Sequence, residues 1–111
     1  MTTEQLIKKI KENSVQFSDV IAHIENLYSH TPAAFTNGTQ RNEENQNQGS
    51  AKVFSFAKLN NLSEEDTLFL FAEHYQSVLE TPEANDHQNI RQFVLNGWAG
   101  ITFDTIALTL K

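Results

Sequence analysis

Residues 63–82, SEEDTLFLFAEHYQSVLETP, carry the strongest helical pattern in the sequence, and the rest of the fold is predicted around them. Ser63 is a favoured helix N-cap, and the three acidic residues after it lie where the helix dipole favours negative charge. Apolar side chains then recur at the spacing of one helical face. Because Pro82 cannot continue helical hydrogen bonding, we predict one long, central helix that ends at Thr81. Its apolar face comprises Leu68, Phe71, Ala72, Tyr75, Val78 and Leu79.

Two shorter helices are predicted before this segment. In residues 2–13, Thr2 and Gln5 can form a capping box, and the apolar residues that follow lie on one stripe. Ser18 is the predicted N-cap of a second helix, which runs to about Ser29 with its apolar residues again on one face.

Two further apolar segments are also assigned to helices. In residues 53–59 the alternation of Phe54 and Phe56 suits a strand, whereas the neighbouring apolar positions suit a helix, and we favour the helix. The last helix is capped by Asp86 and ends at Gly97, because a glycine in a left-handed conformation commonly closes a helix.

The C-terminal residues show the two-residue period of strands. We predict a short C-terminal β-hairpin that turns at residues 104–105, with the segment around Phe35 as a possible partner. The fold class is therefore mainly α: residues 1–111 form a single compact helical domain of about four to five helices with that hairpin. The alternating apolar residues are Ile101, Phe103, Ile106, Leu108 and Leu110.

Residues 37–50 contain no strongly apolar side chain and consist mostly of amides and charged groups. Such a stretch has too little apolar surface to join a core, so we predict a mobile surface loop. A loop of this length inside a small domain is unusual enough to carry function, although simple tolerance of a long loop is the plainer alternative.

Composition and charge exclude several classes of function. Eight Lys and Arg against fourteen Asp and Glu give a formal charge of −6, which disfavours nucleic acids and anionic membranes as main partners. The sequence has no cysteine, and this excludes disulfide scaffolds, thiolate metal sites and cysteine nucleophiles. No apolar run is long enough to cross a bilayer. We expect a cytoplasmic monomer whose partner is a protein.

The four histidines are the side chains that change charge nearest neutral pH. They are His23, His30, His74 and His87. No pair has the i, i+4 spacing of a helical metal site, so we expect no metal and no cofactor. A site assembled from separate helices, for instance His74 with His87 and nearby carboxylates, stays open as the alternative.

The densest group of polar side chains is the run Asp86-His87-Gln88-Asn89-Ile90-Arg91. If a helix begins at His87, Asp86 accepts hydrogen bonds from its first amides, and His87 and Arg91 lie one turn apart on the same face. Arg91 is the only arginine outside the predicted loop, and a lone arginine in an acidic protein usually holds a specific anion. That anion is either a structural carboxylate, such as Asp86 or Glu80, or part of a bound ligand.

Several segments together are similar to one known family. They are GSAKVFSFA at residues 49–57, FAEHY at 71–75, VLETP at 78–82, DHQNIRQF at 86–93 and GWAGITF at 97–103. Through them the chain resembles the HopJ type III effector family over nearly its whole length. The resemblance implies a small bacterial single domain, in a family named after plant-pathogen proteins associated with type III secretion. It implies no catalytic residue, cofactor or substrate.

The N-terminus departs from the pattern of type III export signals, which tend to be flexible and rich in serine. Residues 1–13 contain no serine and have the pattern of a folded helix. We therefore expect the protein in the cytoplasm of the producing bacterium, with export into a host cell as the alternative.

Three functions are consistent with these observations. Since no catalytic motif is assembled, the first is an interaction protein that binds a protein partner through residues 37–50 and the face that carries His87 and Arg91. The second is a small-ligand or enzymatic pocket in which His87 is the acid–base group and Arg91 holds an anion. The third is a housekeeping protein that is not secreted. The candidate residues of the pocket are Asp86, His87, Asn89 and Arg91, with His74 and Tyr75 opposite and Trp98 as an aromatic wall.

Overall fold

The computed structural model describes residues 2–111, and this part of the chain contains six α-helices, five short strands and one 3-10 turn at Gly97–Gly100. The helices are α1 Thr3–Lys11, α2 Phe17–Leu27, α3 Gln48–Leu59, α4 Glu64–Phe69, α5 Glu73–Glu80 and α6 Gln88–Asn96. The strands are β1 Tyr28–His30, β2 Phe35–Asn37, β3 Gln40–Asn42, β4 Ile101–Phe103 and β5 Leu108–Leu110. A mainly α fold is confirmed, with six helices rather than four to five. No helix within residues 2–111 combines the length and the apolar character needed to cross a membrane.

The predicted long helix over residues 64–81 is wrong, because the chain breaks it into α4 and α5. Ala72, the residue before α5, has φ 50° and ψ −122°, which no helix contains. Of the predicted apolar face, Leu68, Phe71 and Val78 are buried, whereas Leu79 is 55% exposed. The predicted cap is confirmed, since the Ser63 Oγ accepts a hydrogen bond from the Asp66 N–H at 3.1 Å.

The predicted C-terminal hairpin is also wrong. β4 pairs antiparallel with β2, with Phe35 opposite Phe103 and their rings stacked at 4.8 Å, so the pairing with the Phe35 segment is confirmed. β5 instead pairs antiparallel with β1, with Tyr28 opposite Leu110. The two alternating segments therefore join different sheets, and Tyr28, expected in the last turn of α2, is a strand residue.

Residues 37–50 do not form the predicted loop. They contain the end of β2, all of β3 and the first turn of α3, and Asn37 and Asn42 are fully buried. The turn between β2 and β3 includes Gly38, which has φ 60°. The prediction was wrong because it judged core membership by apolar surface alone, whereas amide side chains can be buried when they hydrogen-bond to one another.

α3 runs through the centre of the molecule, and its assignment as a helix rather than a strand is confirmed. Its residues Val53, Phe54, Phe56 and Ala57 are all fully buried. The Phe54 ring lies 5.3 Å from that of Phe71 and 5.0 Å from that of Phe93, so α3 holds the segment before α5 against α6. This central position brings the N-terminal ends of α3, α5 and α6 to one side of the core.

The start of α2 differs slightly from the prediction. Gln16 rather than Ser18 is the N-cap, and the Asp19 Oδ2 accepts a hydrogen bond from the Gln16 backbone N–H at 2.9 Å. Phe17 is thereby the first helical residue, and its ring is directed towards α5 rather than along the chain.

Candidate functional site

A cleft of about 310 Å³ opens where the N-terminal ends of α3, α5 and α6 meet. We name it the histidine cleft. One side is aromatic and the other consists mainly of amide side chains and backbone. Its lining residues are Phe17, Gln40, Asn47, Gly49, Ser50, Phe71, His74, His87, Gln88, Asn89 and Ile90.

Two histidines from different elements touch in this cleft. The imidazole rings of His74 and His87 lie 5.0 Å apart at 35°, although 13 positions separate the two residues in the chain. Phe17 packs edge-on against His74 at 4.9 Å and stacks on Phe71 at 5.9 Å, which fixes the orientation of His74. The Phe17 backbone N–H donates to the Glu73 Oε1 at 2.6 Å, so the start of α2 is tied to the first turn of α5.

The three helices that border the cleft begin in an unusual way. Each follows a residue with φ 50°: Asn47 before α3, Ala72 before α5 and His87 before α6. Positive φ is costly for residues with a side chain, least so for Asn. Within residues 2–111, no side chain caps α3, α5 or α6 by a hydrogen bond. The His87 side chain is therefore directed into the cleft instead of lying along α6.

Free backbone donors remain at two of these helix starts. The N–H groups of residues 48–50 in α3, and those of Gln88 and Asn89 in α6, have no acceptor within residues 2–111. The first turns of α3 and α6, residues 48–50 and 88–90, contain no acidic side chain. Because helix N-termini carry partial positive charge, this side of the cleft favours negatively charged groups.

A cluster of buried amide side chains holds the two helix starts together. The Asn89 Nδ2 donates to the Asn42 Oδ1 at 2.9 Å, and the Asn42 Nδ2 donates back to the Asn89 Oδ1 at 3.1 Å. Asn47 donates to the Asn42 Oδ1 at 2.7 Å, and Asn37 donates to the Asn89 carbonyl at 2.7 Å. These hydrogen bonds link β2 and β3 to the residues from which α3 and α6 begin. The cluster therefore sets the width of the cleft.

The anion that Arg91 holds is Asp86. The Arg91 Nη2 lies 2.7 Å from the Asp86 Oδ1, and Arg91 also donates to the carbonyl oxygens of Asp86 and Thr81. The hydrogen bond from Arg91 holds the pKa of Asp86 below its usual range. The predicted cap is wrong because Asp86 is turned towards Arg91, and α6 begins at Gln88 with His87 as its N-cap.

Asp86 still connects Arg91 to His87, although the predicted helical i, i+4 face does not form. The Asp86 Oδ2 lies 4.0 Å from the His87 Nε2, while its other oxygen binds Arg91. The Asp86 carboxylate thus lies between His87 and Arg91. The Arg91 side chain itself is only 11% exposed and does not line the cleft.

Tyr75 and Arg91 line a second depression of about 400 Å³ between α5 and α6. We name this depression the apolar groove. Trp98 lies in neither cavity: it packs against Phe54 and Phe93 at the edge of the core, and its backbone N–H donates to the Glu64 Oε2 at 3.0 Å. Of the seven predicted site residues, the histidine cleft therefore brings together His74, His87 and Asn89. The apolar side chains of the groove are Tyr75, Val78, Leu79, Pro82, Val94 and Leu95.

Arg41 also differs from its prediction as a loop residue. It is in β3, and its guanidinium lies 2.7 Å from the Asp104 Oδ2 and 3.2 Å from the Glu43 Oε1. The hydrogen bond from Arg41 lowers the pKa of Asp104. Both arginines thus hold structural carboxylates of this chain.

The predicted pocket lacked eight residues that line the cleft: Phe17, Gln40, Asn47, Gly49, Ser50, Phe71, Gln88 and Ile90. Four of them belonged to segments predicted as loop. The order Asn47, Gly49, Ser50 contained a usable signal, because Asn tolerates the left-handed conformation and small residues leave a helix start open. In residues 2–111, no group of three or more His, Asp or Glu side chains could hold a metal ion.

Comparison with known proteins identifies relatives of the chain but no activity. The model of the HopJ type III effector protein family matches residues 3–108. The chain is also similar to a solved structure described as the crystal structure of unknown function protein VPA0580, with 46% sequence identity and a TM-score of 0.90. The alignment covers 100% of this chain and 95% of that chain. No curated protein matches the sequence. The function must therefore be argued from the site.

Proposed function

We propose that this chain, which belongs to the HopJ type III effector protein family, is a ligand-binding domain. Its histidine cleft binds a small anionic molecule. The name of the family states no reaction. The observation that carries the proposal is the contact of His74 with His87, 5.0 Å apart, inside a cleft of about 310 Å³. Binding sites typically are concave, with apolar walls and a few convergent polar groups. The aromatic and amide sides of this cleft have that character.

The lining of the cleft favours an anion over a cation. The chain has fourteen Asp and Glu residues, yet none of them lines the cleft within residues 2–111. The available groups are the backbone N–H donors at the starts of α3 and α6 and two imidazoles, which gain positive charge on protonation. A phosphate, sulfate or carboxylate group can accept hydrogen bonds from all of them.

The contact between the rings favours binding over catalysis. Two histidines that act as acid and base on opposite ends of one reacting bond need space for the substrate between them. His74 and His87 pack against each other at 5.0 Å, which leaves no space for a substrate between them. Together they form one wall, and an anion in front of that wall would stabilise the protonated rings.

The charge of an imidazole sets the expected pH dependence. A protonated imidazole is positively charged and attracts an anion, whereas a neutral imidazole does not. Anion binding should therefore be stronger at acidic pH than at basic pH. The nearby carboxylates of Asp86 and Glu73 are already engaged, by Arg91 and by the Phe17 N–H.

Titration of the ¹⁵N-labelled full chain with sodium sulfate at constant ionic strength tests the proposal. Sulfate keeps its charge between about pH 5.5 and about pH 8, the range in which imidazoles change charge, so any pH dependence originates in the protein. We expect saturable NMR shifts at Gly49, Ser50, Gln88 and Asn89. The affinity should fall about tenfold across this range, which corresponds to about 1.4 kcal/mol.

Variants that each remove one positively charged side chain, inside or outside the cleft, distinguish binding in the cleft from general attraction of anions to the protein. His74→Gln and His87→Asn should each weaken sulfate binding at acidic pH, and Asn suits the left-handed backbone at position 87. Lys9→Gln removes one exposed charge from α1 and should leave the affinity unchanged. Shifts concentrated on α1, or an affinity that is the same at both pH values, would contradict the proposal.

A protein partner also stays a prediction, but its predicted surface changes. Residues 37–50 were expected to supply a mobile contact loop, and they are instead strand and helix residues around buried Asn37 and Asn42. The exposed apolar side chains of the groove between α5 and α6 favour a different surface for a partner.

A further inference from the structure

We infer that the apolar groove between α5 and α6 is a docking surface for a basic, amphipathic segment of a partner protein. The groove has a volume of about 400 Å³ and lies between the second half of α5, Pro82 and the second half of α6. This inference is independent of anion binding in the histidine cleft, because different side chains carry it.

The groove concentrates exposed apolar side chains from two helices. Leu79 on α5 is 55% exposed, and Val94 and Leu95 on α6 are 53% and 75% exposed. These three residues line one continuous depression together with buried Val78. Exposed apolar side chains that gather in a groove mark interaction sites, whereas scattered ones are ordinary. Two parallel rows of apolar side chains suit the apolar face of an inserted helix.

The charges beside the groove select a basic partner. Arg91 lies in its wall, but its charge is matched by Asp86 at 2.7 Å. Glu83 is exposed directly after Pro82, which lines the groove, and it has no basic partner within residues 2–111, while the whole chain has a formal charge of −6. The free charge at this end of the groove is therefore negative, and Lys or Arg at the edge of an inserted segment would complement it.

The same charges disfavour a second copy of the chain as the occupant. Each copy has a formal charge of −6, so two copies that meet at this groove repel each other. Like charges across an interface oppose association, whereas a basic segment gains both the apolar contact and the charge contact.

A matched pair of designed helical peptides tests this inference with the full-length protein. Both contain the same leucine stripe, and the polar positions are lysine in one peptide and glutamate in the other. In ¹⁵N NMR titrations we expect the lysine peptide to shift Leu79, Val94 and Leu95 saturably, and to bind at least about tenfold more tightly than the glutamate peptide.

Variants on two faces distinguish the groove from general attraction between a basic peptide and an acidic protein. Leu95→Gln should weaken the lysine peptide about tenfold, while Ile106→Gln, at a residue that is 77% exposed on another surface, should leave its affinity unchanged. The variant Glu83→Gln should reduce the preference for the lysine peptide. Substitutions at such exposed positions change folding stability little, and circular dichroism melting curves check this.

Three results would overturn the inference: equal binding of both peptides, equal weakening by Leu95→Gln and Ile106→Gln, or self-association of the free protein that Leu95→Gln abolishes in sedimentation experiments. The last result would identify a second copy as the occupant. Sulfate titration of Leu95→Gln keeps the two proposals separate, because its sulfate affinity should equal that of the unaltered chain even if peptide binding is lost.

Discussion

The six helices divide into two groups by the way they begin. α1, α2 and α4 begin with side-chain hydrogen bonds: Thr2 with Gln5, Asp19 to the Gln16 N–H, and Ser63 to the Asp66 N–H. α3, α5 and α6 begin after residues with φ 50° and, within residues 2–111, without such a cap. The starts of the second group border the histidine cleft, to which the first group contributes only the Phe17 ring.

The difference separates helix starts that side chains stabilise from helix starts that side chains leave uncapped. A side-chain cap satisfies helix N–H groups and stabilises the helix by about 1 kcal/mol. A left-handed start costs conformational energy and leaves donors free for a ligand.

Of all the changes considered, disruption of the buried amide cluster that holds the starts of α3 and α6 should lower the free energy of unfolding most. Asn42→Ala removes the partner of Asn89 and Asn47 and leaves buried polar groups unsatisfied, which should lower the free energy of unfolding by about 3 kcal/mol. Asn45→Ala, at an exposed position of the same polar segment, should change it by less than about 0.5 kcal/mol. Urea denaturation measures both, and similar values for the two variants would remove the structural role of the cluster.

Removing the backbone strain at the left-handed start of α5 should stabilise the protein, whereas loss of the amide cluster destabilises it. Because glycine adopts positive φ without steric cost, Ala72→Gly should raise the free energy of unfolding by about 1 kcal/mol. Ala22→Gly replaces an exposed residue in the interior of capped α2 and should lower it by about 1 kcal/mol. Thermal denaturation of the two variants compares them directly, and destabilisation by Ala72→Gly would argue against strain at this residue.

Two serines in first-turn regions give a direct comparison of capped and uncapped helix starts. Ser63→Ala removes the cap of α4 and should cost about 1 kcal/mol. Ser50 lies in the first turn of α3, and its hydroxyl makes no hydrogen bond within residues 2–111. Ser50→Ala should therefore leave the unfolding transition within about 0.5 kcal/mol of the original chain. A larger cost for Ser50→Ala than for Ser63→Ala would reverse the comparison.

The smallest predicted effect is a pH dependence outside the cleft. Burial lowers the pKa of His23, and within residues 2–111 its Nε2 has no hydrogen-bond partner. The folded state therefore favours the neutral imidazole, so stability should be highest above about pH 6.5, the ordinary imidazole pKa, and decline as the pH falls below it. Asp86 and Asp104 contribute separately at lower pH, because arginine hydrogen bonds lower their pKa values.

The variant His23→Leu should reduce this decline when urea denaturation is repeated across the pH range. It should not abolish the decline, because burial also lowers the pKa of His30. An unchanged pH profile in His23→Leu would show that the buried imidazole does not control stability in this range.

The candidate site was predictable only in part. The Asp86–Arg91 pair was one of the alternatives offered for the lone arginine, beside Glu80 and a bound ligand. The pairing of His74 with His87 was only one alternative, since it depends on the packing of α5 against α6 rather than on spacing along one helix. Tyr75 and Trp98 were assigned to the same pocket, and the break at Ala72 and the packing of Trp98 on Phe54 directed them elsewhere.

The helical class, the caps at Thr2 and Ser63 and membership of the family could be read from the sequence, because they depend on local spacing and residue type. The strand pairs, the break at Ala72 and the burial of Asn42 depend on long-range packing, which only the folded structure reveals. Strand pairs here join residues up to 82 positions apart, as Tyr28 with Leu110. Apolar periodicity records which face is buried, but it contains no information on which distant backbone or amide completes each hydrogen bond.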